Sequence, residues 1–260
     1  FYNSFLPLIA TEDRYDDVSA KGFSYGFIGS VILLITNLIV IMNYGWFGFS
    51  DGIHAVPTAF VMVGLWWIGF AQIPLRRLPD DTPPETRENL LTRGYEELRK
   101  VWRVVSGDTN TKAFLFAFFC YNAGVQAVLF LASVFAEKEL GFDTTKLIFL
   151  ILILQIVAIG GAWASAKLSG RKGNKFSIMV MLAVWTGICI TGYFVRTGLD
   201  FYLLAVAVGL VMGGIQSLSR ATYAKLLPEN TPDTASFFSF YDVMDKVSTV
   251  AGTFVFGFVE

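Results

Sequence analysis

Histidine is almost absent. His54 is the only one in 260 residues, which leaves His-based acid–base chemistry and a His-rich metal site with nothing to build them. Cysteine is nearly as scarce. Cys120 and Cys189 each sit alone in an apolar run, so neither a disulfide framework nor a CxxC metal site is supported. Charge is thin as well: 16% of residues are charged and 54% hydrophobic, with a mean hydropathy of +0.56. Soluble domains carry about 25% charged residues, so both departures point to lipid as the solvent. A net charge of −1 provides no basic field for nucleic acid. No HExxH, GxSxG or P-loop pattern occurs, so neither an enzyme, a cofactor nor a bound metal is expected. No signal-peptide pattern opens the chain. It begins inside the apolar phrase FYNSFLPLIA and ends, still apolar, at FVFGFVE; both ends read as truncations.

What is abundant is apolar runs of membrane length. A hydrocarbon core about 30 Å thick requires roughly 20 apolar residues per helical span. Such runs lie at about Gly22–Met42, His54–Pro74, Thr111–Ala136, Lys146–Ala166, Phe176–Val195, Phe201–Leu218 and Ala235–Val259. Phe1–Ala10 reads as the end of an earlier span. Barrel strands would show alternating segments of about ten residues; these runs are longer and continuous. The expectation is an all-α polytopic membrane helix bundle with about seven complete spans, its obligatory partner the lipid bilayer.

Lysine and arginine alternate between the two sets of loops. One set holds Arg14 and Lys21, then Arg76 to Lys112, then Lys167, Arg171, Lys172 and Lys175, then Arg220 and Lys225. The other holds only Lys138, Lys146 and Arg196. This bias predicts that the basic loops are cytoplasmic. In the long loop Leu75–Asn110, prolines and acids open the segment. Leu91, Tyr95, Leu98, Trp102 and Val105 then step by four and three, one apolar stripe of an amphipathic helix. Arg87, Arg93, Arg99, Lys100 and Arg103 form its basic complement. Two readings stand together: a helix lying on the inner leaflet, or a helix packed beneath the bundle as a linker. In PENTPDTASFF, Thr231 is expected to cap the last span, with Pro232 at its first position. Small residues four apart (Gly22 and Gly26, Gly209 and Gly213, Gly160 and Ala164) predict faces of close helix approach.

Ionisable residues inside spans are rare and usually face a bundle interior or a water-filled cavity. Here they gather in the last helix as Asp242, Asp245 and Lys246, with Tyr241 beside them. Asp242 and Lys246 stand four apart and share a face. Lys246 is read either as the binder of an anionic group or a proton-linked switch, or as half of a structural ion pair. Tyr121, Asn122 and Gln126 interrupt FAFFCYNAGVQAV. Asn122 and Gln126 share a face that either lines a cavity or supplies interhelical hydrogen bonds. Asn37 and Gln155 read as glue. Gln216 and Arg220 close a span, and Arg220 is read as an anchor or an interfacial ion-pair partner.

Several phrases carry a resemblance. FYNSFLPLIA followed by DDVSAKGFSYGFIGS, GLVMGGIQSLSRATYAKLLPE with its QSLSR, and FFSFYDVMDKVSTVAGTFVFG together resemble the unknown-major-facilitator family, which includes the autophagy-related vacuolar amino-acid effluxers. The resemblance implies a major facilitator-type permease. Residues 1–74 would hold the end of span four and spans five and six of the first half, 75–110 the cytoplasmic central loop, and 111–260 spans seven to eleven. It implies an amino acid as the small solute; the absence of nucleotide-binding motifs points to a secondary transporter that moves it by alternating access with protons as coupling ion, and the expected location is the plasma (inner) membrane. A non-transporting scaffold or sensor with a partner-recruiting loop is the alternative. The superfamily's cytoplasmic motif survives as Gly170, Arg171 and Lys172, but Lys167 stands where an acid is usual. That leaves an acid–base latch there without its acid.

Overall fold

A computed structural model describes residues 2–77, 90–228 and 234–257, without the side chains of residues 90–93 and 256. Most of the proline-rich RRLPDDTPPE phrase, Arg87, and the Thr231 cap with Pro232 lie outside it, as do the side chains of Leu91 and Arg93. The described residues are all-α. After a 3-10 turn at Tyr2–Phe5 come α1 (Leu6–Ile9), α2 (Tyr15–Met42), α3 (Gly52–Leu75), α4 (Leu90–Gly107), α5 (Thr109–Lys138), α6 (Thr144–Lys172), α7 (Asn174–Gly192), α8 (Gly198–Lys225) and α9 (Thr234–Gly257). Six of these stretches, those of α2, α3, α5, α6, α7 and α8, are long and apolar enough to cross a membrane. The seventh expected span, α9, has 24 residues but is interrupted by Asp242, Asp245 and Lys246, and so differs in kind from the other six.

The helix starts follow from local chemistry. Amide groups of a first turn have no intrahelical acceptor, and short side chains supply one where the chain leaves the polar phase. Asp51 accepts from the amide of His54 at 2.8 Å; the same carboxylate lies 2.8 Å from His54 Nδ1, which gives the lone histidine a local role. Asp143 caps α6 through the Lys146 amide, and Thr197 with Asp200 forms a reciprocal capping box on α8. Asp108 caps α5, and the hydroxyl and amide of Thr111 hold its carboxyl below the ordinary range. Gly173, at φ +84°, makes the break between α6 and α7.

The chain divides into two compact bodies, one drawn from Phe1–Tyr25 and Glu88–Glu260, the other from Gly26–Arg87. The second is a helical pair made from the greater part of α2 and α3, in which the Asn37 carbonyl oxygen is buried with no hydrogen-bond partner. In the first body the tightest packing is α6 against α8. A Cβ on Gly213 would stand 2.2 Å from the Ala158 carbonyl oxygen, and one on Gly161 would stand 2.0 Å from that of Leu210. Gly209 and Gly213 therefore form the expected close face. On α6 the register is one residue off the expectation: Gly161, Ala158 and Ala162 are buried, whereas Gly160 and Ala164 are exposed. Helix ends assort as alternating crossings require. Ala136, Phe142, Leu150, Val195 and Phe201 cluster where α5 and α7 end and α6 and α8 begin. Ser169, Asn174 and Lys225 meet where α6 and α8 end and α7 begins.

The amphipathic helix α4 packs on α5 and α9 by part of the expected stripe: Leu98 and Val105 pack there, Tyr95 and Trp102 do not. Val101 and Val105 are buried and Leu98 packs beside them, while Tyr95 and Trp102 are 69% and 50% exposed. The packed line thus runs through 98, 101 and 105, rotated from the Tyr95 and Trp102 positions, with Val101 and Val105 set against Phe118, Phe237 and Phe240 of α5 and α9.

Replacing Gly213 by alanine forces α6 and α8 apart and is expected to destabilise the full-length protein in detergent by about 3 kcal/mol. The control, Gly160→Ala, meets no atom within 4 Å and is expected to be neutral or to gain up to about 1 kcal/mol of helix propensity. Equal melting temperatures for the two variants would refute the packing.

Candidate functional site

Three polar clusters lie within the first body, and each joins elements distant in sequence. The first is built on Asp16, in the opening turn of α2 and 7% exposed. Lys225 Nζ, at the end of α8, donates to Asp16 Oδ2 at 2.8 Å. Ser169 Oγ, near the end of α6, donates to the same oxygen at 2.8 Å. Asn174 Nδ2, at the start of α7, donates to Asp16 Oδ1 at 2.7 Å and to Thr222 Oγ1 at 3.0 Å, while its Oδ1 accepts from Lys225 at 2.9 Å. One carboxylate thus satisfies the ends of three helices. Charge-assisted hydrogen bonds of this kind are roughly twice as strong as neutral ones.

The second cluster is built on Arg220, 5% exposed in α8. Its Nε donates to Ser19 Oγ and its Nη2 to the Ser19 carbonyl, both at 2.9 Å. Nη1 donates to Asn3 Oδ1 at 3.1 Å. The guanidinium lies over the Phe23 ring, 4.5 Å from its centre, an arrangement in which the ring face offsets part of the lost hydration. A Cβ on Gly22 would reach within 3.0 Å of Nη2, so the glycine leaves room for the charge. Asn3 Nδ2 in turn donates to Asp242 Oδ1 of α9 at 2.8 Å. A neutral amide therefore stands between a buried cation and the carboxylate that balances it.

The third cluster joins α5 to α9. Asn122, 6% exposed, donates through Nδ2 to Asp245 Oδ1 at 2.9 Å and to Ser248 Oγ at 2.7 Å. Lys246 Nζ donates to Asp245 Oδ2 at 2.9 Å, with its side chain 80% exposed. Below it, a Cβ on Gly252 would stand 2.2 Å from the Ala123 carbonyl oxygen, so α5 and α9 are in backbone contact. Tyr121 and Ser219 hydroxyls lie 2.6 Å apart; because Ser219 donates to the Ile215 carbonyl, Tyr121 is the donor between them.

The structure brings together some of the expected residues and separates others. Lys246 pairs with Asp245, its chain neighbour, rather than with Asp242 four residues earlier. The physical reason is competition: Asn3 reaches the Asp242 carboxylate from another element, and the long lysine stem swings to the nearer acid. Asn122 faces α9, whereas Gln126 is half-buried with no hydrogen-bond partner among the described residues. Tyr241 is 6% exposed and stacked on Phe118 and Tyr223 at 4.5 and 5.0 Å, an aromatic core position. Gly170, Arg171 and Lys172 are exposed at the end of α6, and Gln216 is half-buried. Lys167 lies over the Trp163 ring. Asp16, Ser19, Asn3, Asn174 and Lys225 were missed. A signal existed for two of them: Asp16 and Ser19 share one face of α2 with Ala20 and Phe23, stepping by three and four, and all four lie in the first body. An apolar groove of about 690 Å³ between α7 and α8 contains one carboxylate, Asp200, already engaged by the cap.

The family described as "Vacuole effluxer Atg22 like" matches residues 1–260. The chain belongs to that family. Among curated relatives, the "Uncharacterized MFS-type transporter YxiO" of Bacillus subtilis is 28% identical over 254 residues, covering 97% of this chain and 58% of that protein. Autophagy-related protein 22 of Kluyveromyces lactis is 26% identical, covering 99% of this chain and 57% of its own length. That of Saccharomyces cerevisiae is 22% identical over 98% of this chain and likewise 57% of its own. The chain therefore spans under two thirds of the relatives it matches. No solved structure matches it. Family, six apolar helices and composition agree on an integral membrane protein.

Removing the Asp16 carboxylate leaves Lys225 and Asn174 without their shared acceptor. Asp16→Asn is expected to lower the stability of the full-length protein by about 2 kcal/mol, below the 3–5 kcal/mol of a fully buried pair because Lys225 retains access to water. In a double-mutant cycle with Lys225→Met, thermal unfolding is expected to give a coupling of about 1 kcal/mol or more. Additive effects would mean that the two groups do not interact.

Proposed function

We propose that this chain is the core of a secondary transporter that moves a small solute, an amino acid, by alternating access with proton coupling. Residues 1–74 belong to its first half, 75–110 to the central connection and 111–260 to its second half. The observation that carries the reading is the third cluster. Lys246 lies twelve residues past Thr234, about 18 Å along α9, close to the middle of a hydrocarbon core about 30 Å thick. An ammonium there is costly to keep, yet it is exposed and held by one carboxylate that Asn122 also anchors. Such a pair offers a cation to a solute carboxylate and an anion to a solute ammonium, and Asp245 is placed to exchange a proton when the pair separates.

The other two clusters supply what alternating access needs at one end of the bundle. They join residues before the central connection to helices after it through polar contacts, which exchange with water more readily than packed apolar surface does. When Asn3 and Ser19 withdraw, Arg220 of α8 and Asp242 of α9 are left on neighbouring helices and neutralise each other. The Lys and Arg asymmetry supports a cytoplasmic position for that end, in the plasma membrane.

The test is solute flux in vesicles containing the full-length protein, screened over amino acids with and without a pH gradient. Lys246→Met is expected to reduce flux at least tenfold and to abolish its response to pH, with Asn122→Ala giving a smaller loss. Unchanged transport and pH response in Lys246→Met would overturn the role of Lys246. Absence of any flux in the parent protein would favour a scaffold or sensor.

A further inference from the structure

The exposed side of α4 has a chemistry that neither the transport reading nor the bundle packing uses. On a helical projection, Trp102, Tyr95, Ser106, Arg99 and Arg103 fall within about 100° of one another, on the side next to the buried line 98–101–105. All five are exposed. Arg99 and Arg103 have no carboxylate partner among the described residues, in contrast to Lys100, which is paired with Glu97 at 2.7 Å.

The depth of the helix is fixed by its packing. Val101 and Val105 are buried in one cluster with Leu115 and Phe118, in the second and third turns of α5, and with Phe237, Phe238 and Phe240, in the first two turns of α9. The Trp102 ring lies 6.0 Å from that of Phe240. Only Asp108 separates α4 from α5. A helix embedded among the opening turns of two spans lies in the headgroup zone and not in bulk water. In that zone Trp and Tyr are favoured, and arginine pairs with phosphate through a bidentate fork.

We propose that the Tyr95–Arg99–Trp102–Arg103 face of α4 is a binding surface for anionic phospholipid headgroups in the leaflet where α5 and α9 begin. Arg99 and Arg103 take the phosphates, and Tyr95 and Trp102 set the depth. Charge complementarity selects the occupant: two guanidinium groups without a carboxylate partner among the described residues, flanked by interfacial aromatics, suit an anionic lipid surface. The proposal concerns lipid binding and stands independently of which solute is moved.

The experiment uses full-length protein in nanodiscs of phosphatidylcholine with or without phosphatidylglycerol. Cys120 and Cys189 are first replaced by serine, and a spin label is attached at Ser106→Cys. Accessibility to oxygen and to a water-soluble nickel chelate reads depth, and co-purified lipid read by mass spectrometry gives the preference for phosphatidylglycerol. The expected result is a label at headgroup depth and an anionic preference that weakens about fivefold for each arginine replaced by glutamine in Arg99→Gln and Arg103→Gln. The Arg99→Lys, Arg103→Lys double variant is expected to keep most of that preference, which separates loss of charge from loss of fold. A label in bulk water in both lipids would overturn the proposal and leave the face to a soluble acidic partner. An anionic preference unchanged in the double glutamine variant would also overturn it.

Discussion

The backbone contact between α6 and α8 is the constraint on which the rest of the first body depends. Ala158 and Leu210 carbonyls occupy the volume that side chains on Gly213 and Gly161 would fill. In lipid there is no difference in apolarity between a neighbouring helix and the solvent, so close approach at small residues takes the place of hydrophobic collapse. Once α6 and α8 are in register, Ser169 at the end of one and Thr222 and Lys225 at the end of the other converge on a single point. Asn174 begins the next helix there, and Asp16 occupies the point. Any side chain on the glycines would shift these ends by more than a hydrogen bond tolerates.

The charges follow a common logic. Among the described residues, each ionised group buried in the first body is compensated within it, as a medium without water requires: Asp16 by Lys225, Asn174 and Ser169, and Arg220 by Ser19, Asn3 and the ring of Phe23. Lys246 departs from this pattern. It is paired, but the pair is open on one side, and the same acid is anchored by Asn122 on the other. On the function proposed above, the pair that is anchored on one side and open on the other would accept the solute, and the closed clusters would hold elements together. The difference between the two kinds of cluster rests on exposure, 80% for the Lys246 side chain against 5% for Arg220.

Composition and run length were enough for the class of protein and for six of the seven expected spans, because lipid imposes a length on each helix; the seventh, α9, carries three ionisable residues and differs in kind. The grouping of Asp242, Asp245 and Lys246 as the unusual helix was equally legible, since three ionisable residues in one apolar run need no neighbour to be noticed. Partners were not legible. Helical spacing put Asp242 with Lys246, and the α4 stripe on Leu91, Tyr95, Leu98, Trp102 and Val105; the first pairing changed, and of the stripe Leu98 and Val105 pack while Tyr95 and Trp102 do not. Asn3 took Asp242, and Val101 and Val105 pack on the aromatic floor formed by Phe118, Phe237 and Phe240.

By itself, then, the sequence determined that this is a polytopic helical membrane protein and named the helix that carries its charge. Only the tertiary structure decided that Asp16 joins Ser169, Asn174 and Lys225, that Arg220 is buried and bridged to Asp242, and that Lys246 answers to Asp245. The reason is range. Periodicity reports which face of a helix a residue occupies, a matter of a few positions along the chain. Many of the contacts that join the clusters link residues far apart in the chain, such as Asn3 with Asp242 and Asp16 with Lys225, and such pairings exist only after the helices have packed.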